Sequence, residues 1–145
     1  MTTIRPLQRD DEADWRRLWT GYLTFYETRR PETVYATTWA RLFDPAEPVH
    51  GIVAERDGQV IGLCHYLFHR HTWFEADICY LQDLFVDPAV RNTGAGRALI
   101  EAVYAAADAA GACSVYWTTQ EFNYAGRMLY DRVGRKTPFI KYSRP

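Results

Sequence analysis

A chain of 145 residues with 48% hydrophobic, 15% aromatic and 24% charged side chains is sized for one globular domain, residues 1–145, and is not a disordered polymer. A formal net charge of −1 provides no field for nucleic acid or anionic membrane, and no apolar run approaches the roughly 20 residues of a membrane span. The N-terminus lacks the apolar stretch of a signal peptide, and three widely spaced cysteines (Cys64, Cys79, Cys113) form neither a disulfide framework nor a metal knuckle, so the expected address is a reducing cytoplasm.

Thr3–Leu7 alternates weakly and is expected to be a strand. Asp10 then caps a helix whose apolar side chains Trp15, Leu18, Trp19, Tyr22, Leu23 and Tyr26 recur every three or four residues, ending before Pro31. Thr33 caps a second helix that Asp44-Pro45 stops near Phe43. Gly51–Arg56 and Gln59–His69 flank Asp57-Gly58, a strong hairpin signal. Asp77–Val86 is almost wholly apolar apart from Gln82 and Asp83, as a central strand covered on both faces should be. From Gly94 the period changes to helical through Ala98, Leu99, Ala102, Val103, Ala106 and Ala110, closed by Gly111. Cys113–Thr118 reads as a strand, Asn123 caps a helix through Arg132 closed by Gly134, and Thr137–Tyr142 reads as a terminal strand. The order β-α-α-β-β-β-α-β-α-β is α+β with a βαβ unit.

The chemistry lies in Arg91-Asn92-Thr93-Gly94-Ala95-Gly96-Arg97, between the central strand and a long helix. Glycines allow a tight turn, and the free N–H groups of the helix's first turn then face whatever occupies it, an arrangement that suits phosphate. Arg91 and Arg97 add charge-assisted donors. The plainer alternative is a glycine-rich connection with two solvated arginines. A Walker loop is excluded because GK[ST] is absent, and the dinucleotide fingerprint because Leu99 stands where its third small residue belongs.

The stretch from Tyr80 through Leu99, with the glycine loop after a strand, resembles the acetyl-CoA signature of the GNAT N-acetyltransferases. Val115–Thr119 and the helix from Asn123 to Gly134 match the strand and N-x-x-A-x-x-x-Y-type helix that follow it, and Leu129–Tyr142 resembles the histone/polyamine acetyltransferase branch. The resemblance implies a GNAT fold, a mixed central sheet with helices on both faces. It implies transfer of an acetyl group from acetyl-CoA to a primary amine of a small-molecule or lysine-like acceptor, by direct attack in a ternary complex. It assigns pantetheine to the backbone of Leu84, Phe85 and Val86, and pyrophosphate to Arg91, Asn92, Thr93, Gly94, Ala95, Gly96 and Arg97. Asn123 either reaches the cofactor arm or serves only as a helix cap. Tyr130 matches the general acid that protonates the departing thiol.

The base is less direct. Where the polyamine branch resembles Leu-Glu-Asp, this chain has Leu81-Gln82-Asp83, and Gln82 cannot accept a proton. Asp83 remains, although strict alternation aims it away from the face of residue 82 unless a bulge intervenes. This departure keeps a second reading open, a CoA-binding or interaction protein without catalysis. Tyr26, Glu27 and Trp73, with Gln82, are the expected acceptor contacts, on the resemblance of the Tyr-Glu pair and the Trp to spermidine/spermine acetyltransferases. Tyr22 and Trp117 also qualify as pocket aromatics. Long polyamines should be poor acceptors once the acid at position 82 is lost. His65, His69 and His71 lie at alternate positions, but no carboxylate or cysteine spacing there supports a metal. The related branch further implies a homodimer through Thr137–Tyr142, which as a free edge would otherwise invite pairing.

Overall fold

The computed structural model describes residues 1–90 and 92–145. Five strands form one sheet in sequential order: β1 (Thr2–Pro6), β2 (Val49–Arg56), β3 (Gln59–His69), β4 (Ile78–Val86) and β5 (Val115–Tyr116). Only β4 and β5 run parallel; the other pairs are antiparallel, so the sheet is mixed. The β2–β3 turn has Asp57 at φ 51° and Gly58 at φ 77°, the two left-handed residues that match the twist of a two-residue hairpin.

Helices cover both faces. On one, α1 (Glu12–Phe25) and α2 (Glu32–Leu42) pack Trp15, Leu18, Trp19 and Trp39 against Val53, Val60 and Leu63. On the other, α3 (Ala95–Ala109) presses Leu99, Ile100 and Val103 onto Cys64, Cys79 and Leu81, with α4 (Tyr124–Val133) beside it. Fully burying each such aliphatic side chain stabilises the fold by about 1.5–3 kcal/mol.

Several helix ends differ from expectation. The cap of α1 is Asp11 rather than Asp10, after a 3-10 turn over Arg9–Asp11. Its carboxylate accepts from Gln8 N (2.7 Å) and, bidentately, from the Arg5 guanidinium (2.8 and 3.0 Å). Pro31, not Thr33, precedes α2, because its fixed φ suits entry to a helix. Gly111 does close α3 in the left-handed region, with Gly111 N donating to Asp108 O and Ala112 N to Ala107 O. Gly134 ends α4 in extended backbone instead. A Cβ there would lie 2.8 Å from the Trp117 ring, so packing, not a left-handed turn, calls for glycine.

Two expected strands are corrected. Of Cys113–Thr118 only Val115–Tyr116 pairs, with Cys79 and Tyr80. Thr137–Tyr142 forms no strand and pairs with none of the five; Phe139, Ile140 and Tyr142 are exposed.

Candidate active site

One irregularity in β4 decides which side chains meet. His65 of β3 pairs with Asp83 while Tyr66 pairs with Leu81, which leaves Gln82 as an extra residue between them. In a regular strand Leu81 and Asp83 would share a face; one bulged residue reverses the alternation beyond it. Leu81 accordingly sits in the α3-side core, whereas Asp83 turns to the α1 side and meets His65. Phe85 follows onto the α1 side, and Leu84 and Val86 return to the other. Gln82 itself is exposed.

Asp83 Oδ2 accepts from His65 Nδ1 at 2.8 Å, and His65 Nε2 accepts the Trp15 indole N–H at 2.9 Å. Beside this group stand two tyrosines, Tyr22 in the last turn of α1 and Tyr26 just past it. The Tyr22 hydroxyl donates to the Gln82 carbonyl (3.4 Å), and the Tyr22 and Tyr26 rings meet edge to face at 5.1 Å. Burial, then the neighbouring Asp83 charge, pushes the Tyr22 phenol well above its ordinary value. Tyr130 of α4 completes the group from the other side of β4, its ring against Trp117 at 5.7 Å. Burial, with smaller contributions from Tyr26 and Cys64, pushes its phenol up to about 12. The Asp83 carboxylate and a phenol that holds its proton through the neutral range thus flank the same strand.

Beyond Tyr80 the sheet splits. Among the described residues no strand pairs with Leu81–Val86 on the β5 side, although Leu84, Phe85 and Val86 remain bonded to Cys64, Leu63 and Gly62 of β3 on the other. The free backbone groups of this stretch face the side on which β5 has ended. At the end of β4 a short 3-10 turn (Pro88–Val90) leads into the glycine loop; Arg91 lies outside the described residues. Asn92 (φ 64°) and Gly94 (φ 78°) are both left-handed, and Gly94 opens α3 without any side-chain cap. The first-turn N–H groups of Ala95, Gly96 and Arg97 therefore point out of the helix unpaired by it. The buried Thr93 Oγ1 has no partner among the described residues. Together these form an anion nest at a helix N-terminus. Arg97 is engaged by Glu101 (2.8 Å).

The two glycines of the loop have different reasons. A Cβ at Gly94 meets nothing within 4 Å, while at Gly96 it would press Leu129 of α4 at 3.2 Å. Gly94 is thus the cleaner probe of the nest. Gly94→Asp is expected to weaken binding of a phosphate-bearing cosubstrate about tenfold or more, by like charge, and to cost roughly 1 kcal/mol of stability at a left-handed position. Isothermal titration and thermal unfolding measure the two effects, and unchanged affinity would remove the nest from the site.

Other expected residues are placed as follows. Asn123 Oδ1 accepts from Gly126 N and its Nδ2 donates to Thr119 Oγ1, so its side chain serves as the cap of α4. Glu27 is exposed, at the left-handed position just past α1 (φ 55°). Trp73 is 75% exposed in the β3–β4 loop, with its ring near His71 rather than among the tyrosines. The three histidines diverge: His65 joins Asp83, His69 Nε2 pairs with the Tyr116 hydroxyl (2.8 Å), and His71 stays in the loop. The parts of the site that sequence reasoning misses are His65 and Trp15. The only signal for them is indirect, since their meeting with Asp83 depends on the bulge.

Residues 13–134 match the acetyltransferase (GNAT) family. Among similar proteins, the D-amino-acid N-acetyltransferase HPA3 of Saccharomyces cerevisiae is 38% identical over 143 residues, covering 97% of this chain and 89% of its own. An uncharacterized N-acetyltransferase, YhfO of Bacillus subtilis, is 30% identical over 96% of this chain and 94% of its own. The solved structure of AAC(6')-Iy with a CoA-linked bisubstrate analog superposes with a TM-score of 0.86 at 18% identity, covering 100% of this chain and 98% of that one. At that identity the likeness speaks for the fold.

Proposed function

Because the chain belongs to the acetyltransferase (GNAT) family and is an acetyl-CoA-dependent N-acetyltransferase, we propose that it acetylates the amino group of a free amino acid or similarly small amine by direct attack. The observation that carries this reading is the turn of Asp83, through the Gln82 bulge, toward Tyr22 on the face opposite its expected one. It supplies the carboxylate that Gln82 cannot, and so speaks against a member without catalysis. The likeness to a D-amino-acid N-acetyltransferase favours an amino-acid acceptor over the longer polyamines.

Acetyl-CoA brings an acetyl group on a thioester, activated toward amines. The open edge of β4 fits it: Leu84, Phe85 and Val86 offer backbone partners for pantetheine amides. The nest of Asn92, Thr93, Gly94 and the first turn of α3 offers donors for pyrophosphate, including the unpartnered Thr93 hydroxyl. On the chain's side, Asp83 takes one proton from the acceptor's ammonium group, which frees the nitrogen lone pair for the thioester carbonyl carbon. As the new C–N bond forms and the C–S bond breaks, Tyr130 gives its phenolic proton to the leaving sulfur. The second amine proton restores the phenol, and Asp83 returns its own to solvent.

Glu27 supports the acceptor assignment through its backbone. Glu27 N donates to Thr24 O and Thr28 N to Leu23 O, the same helix ending that uses Gly111 after α3. Glutamate in place of glycine there carries roughly 1 kcal/mol of strain. Glu27→Gly is therefore expected to raise the melting temperature while raising the KM for the amine several-fold. Glu27→Gln should raise that KM alone, and neither change should move the KM for acetyl-CoA. If the amine KM stays at the wild-type value in both variants, Glu27 has no part in binding. The function itself is tested by CoA release over a panel of D- and L-amino acids, monoamines, lysine peptides and spermidine. Amino acids should lead and spermidine trail; a panel led by spermidine would overturn the acceptor reading.

A further inference from the structure

His65 is 6% exposed in a core of indoles and aliphatic chains, with Trp15 and Trp19 rings about it at 6.1 and 6.0 Å. Packing alone asks for nothing polar here, and a buried imidazole is costly unless its nitrogens are bonded. Both are, and the partners fix the direction of each bond. The Trp15 indole N–H only donates, so His65 Nε2 must present a lone pair. The ring hydrogen is then on Nδ1, where it points to Asp83 Oδ2. An imidazolium would set a second N–H against the indole's. Among the described residues no Lys or Arg lies within ion-pair distance of Asp83, so its carboxylate is held by a neutral donor that leaves its negative charge uncompensated.

We propose that His65, held by Trp15 in the Nδ1–H tautomer, is a positioning residue that fixes the Asp83 carboxylate so that its other oxygen meets the acceptor amine. The inference rests on the reading of Asp83 as proton acceptor. It makes the docking of α1 a condition for an aimed base, because Trp15 comes from α1, His65 from β3 and Asp83 from β4.

Two amides of different reach test it. The side-chain nitrogen of asparagine takes the place of Nδ1, and the side-chain oxygen of glutamine, turned to accept the indole N–H, takes that of Nε2. His65→Asn keeps a donor for Asp83 and is expected to retain kcat within about threefold, whereas His65→Gln, which serves only the Trp15 end, should lose about tenfold or more through misplacement of the base. KM for acetyl-CoA should be unchanged in both. A space-filling role predicts the reverse order, since asparagine is the smaller residue and leaves the indole unbonded. Equal turnover, or glutamine ahead of asparagine, overturns the proposal. Long-range proton–nitrogen NMR of the wild-type imidazole at pH 7 needs no variant: hydrogen on Nδ1 supports it, and hydrogen on Nε2 or on both nitrogens overturns it. Asp83→Asn separates the two levels. Wild-type turnover there removes the proton acceptor and the positioning role together. A loss of turnover with the histidine variants in reversed order removes only the positioning role.

Discussion

Asp83→Asn is expected to lower kcat at least about a hundredfold, the lower end of what a positioned acid or base contributes and about 2.7 kcal/mol of barrier. The substitution conserves shape, and its amide oxygen still accepts the His65 Nδ1–H that the carboxylate accepts at 2.8 Å. Stability should therefore change little. The KM for acetyl-CoA should hold as well, because the glycine nest and the open edge of β4 contain no part of this side chain. What is lost is the capacity to take a proton from an ammonium acceptor. Steady-state kinetics with the best amine of the panel checks it, and turnover within twofold of wild type would remove Asp83 from the chemistry.

Tyr130→Phe should lower kcat by about a hundredfold as well, with a different signature. The phenylalanine ring keeps the edge contact with Trp117, so α4 stays in place and CoA affinity is preserved. Because burial holds the phenol's pKa up to about 12, the wild-type enzyme keeps this donor through the neutral and mildly alkaline range. A missing acid matters most when the leaving group is a poor one. Acetyl thioesters of more acidic thiols should therefore lose less in the variant than acetyl-CoA does. A uniform loss across thioesters would point to damaged geometry rather than a missing proton.

These expectations draw unequally on the sequence. Local features were legible because neighbouring residues determine them: the Asp57-Gly58 turn, Gly111 past α3, and Asn123 capping α4 all stand as composition suggested. The glycine loop was legible as a nest for the same reason. Features set by contacts distant in sequence were not. The Gln82 bulge depends on the register between β3 and β4, and without it alternation misplaces Asp83. The short β5 follows from the split of the sheet just before that bulge. Gly96 and Gly134 looked like loop and cap glycines, but each answers a side chain from elsewhere, Leu129 and Trp117. His65 read as one histidine among three because nothing local announces Trp15, fifty residues earlier, as its partner.

The placement of the three cysteines sets the thiol stoichiometry of any assay that counts released CoA. Cys64 and Cys79 are buried and Cys113 is exposed. Burial pushes the Cys64 thiol far up and that of Cys79 to about 11, so neither offers thiolate to a reagent at neutral pH. The folded protein thus consumes one equivalent of a thiol reagent per chain at Cys113, and the unfolded protein three. The first equivalent is a fixed blank to be subtracted from turnover. The other two are a chemical clock for opening of the α3-side core, readable in the same cuvette.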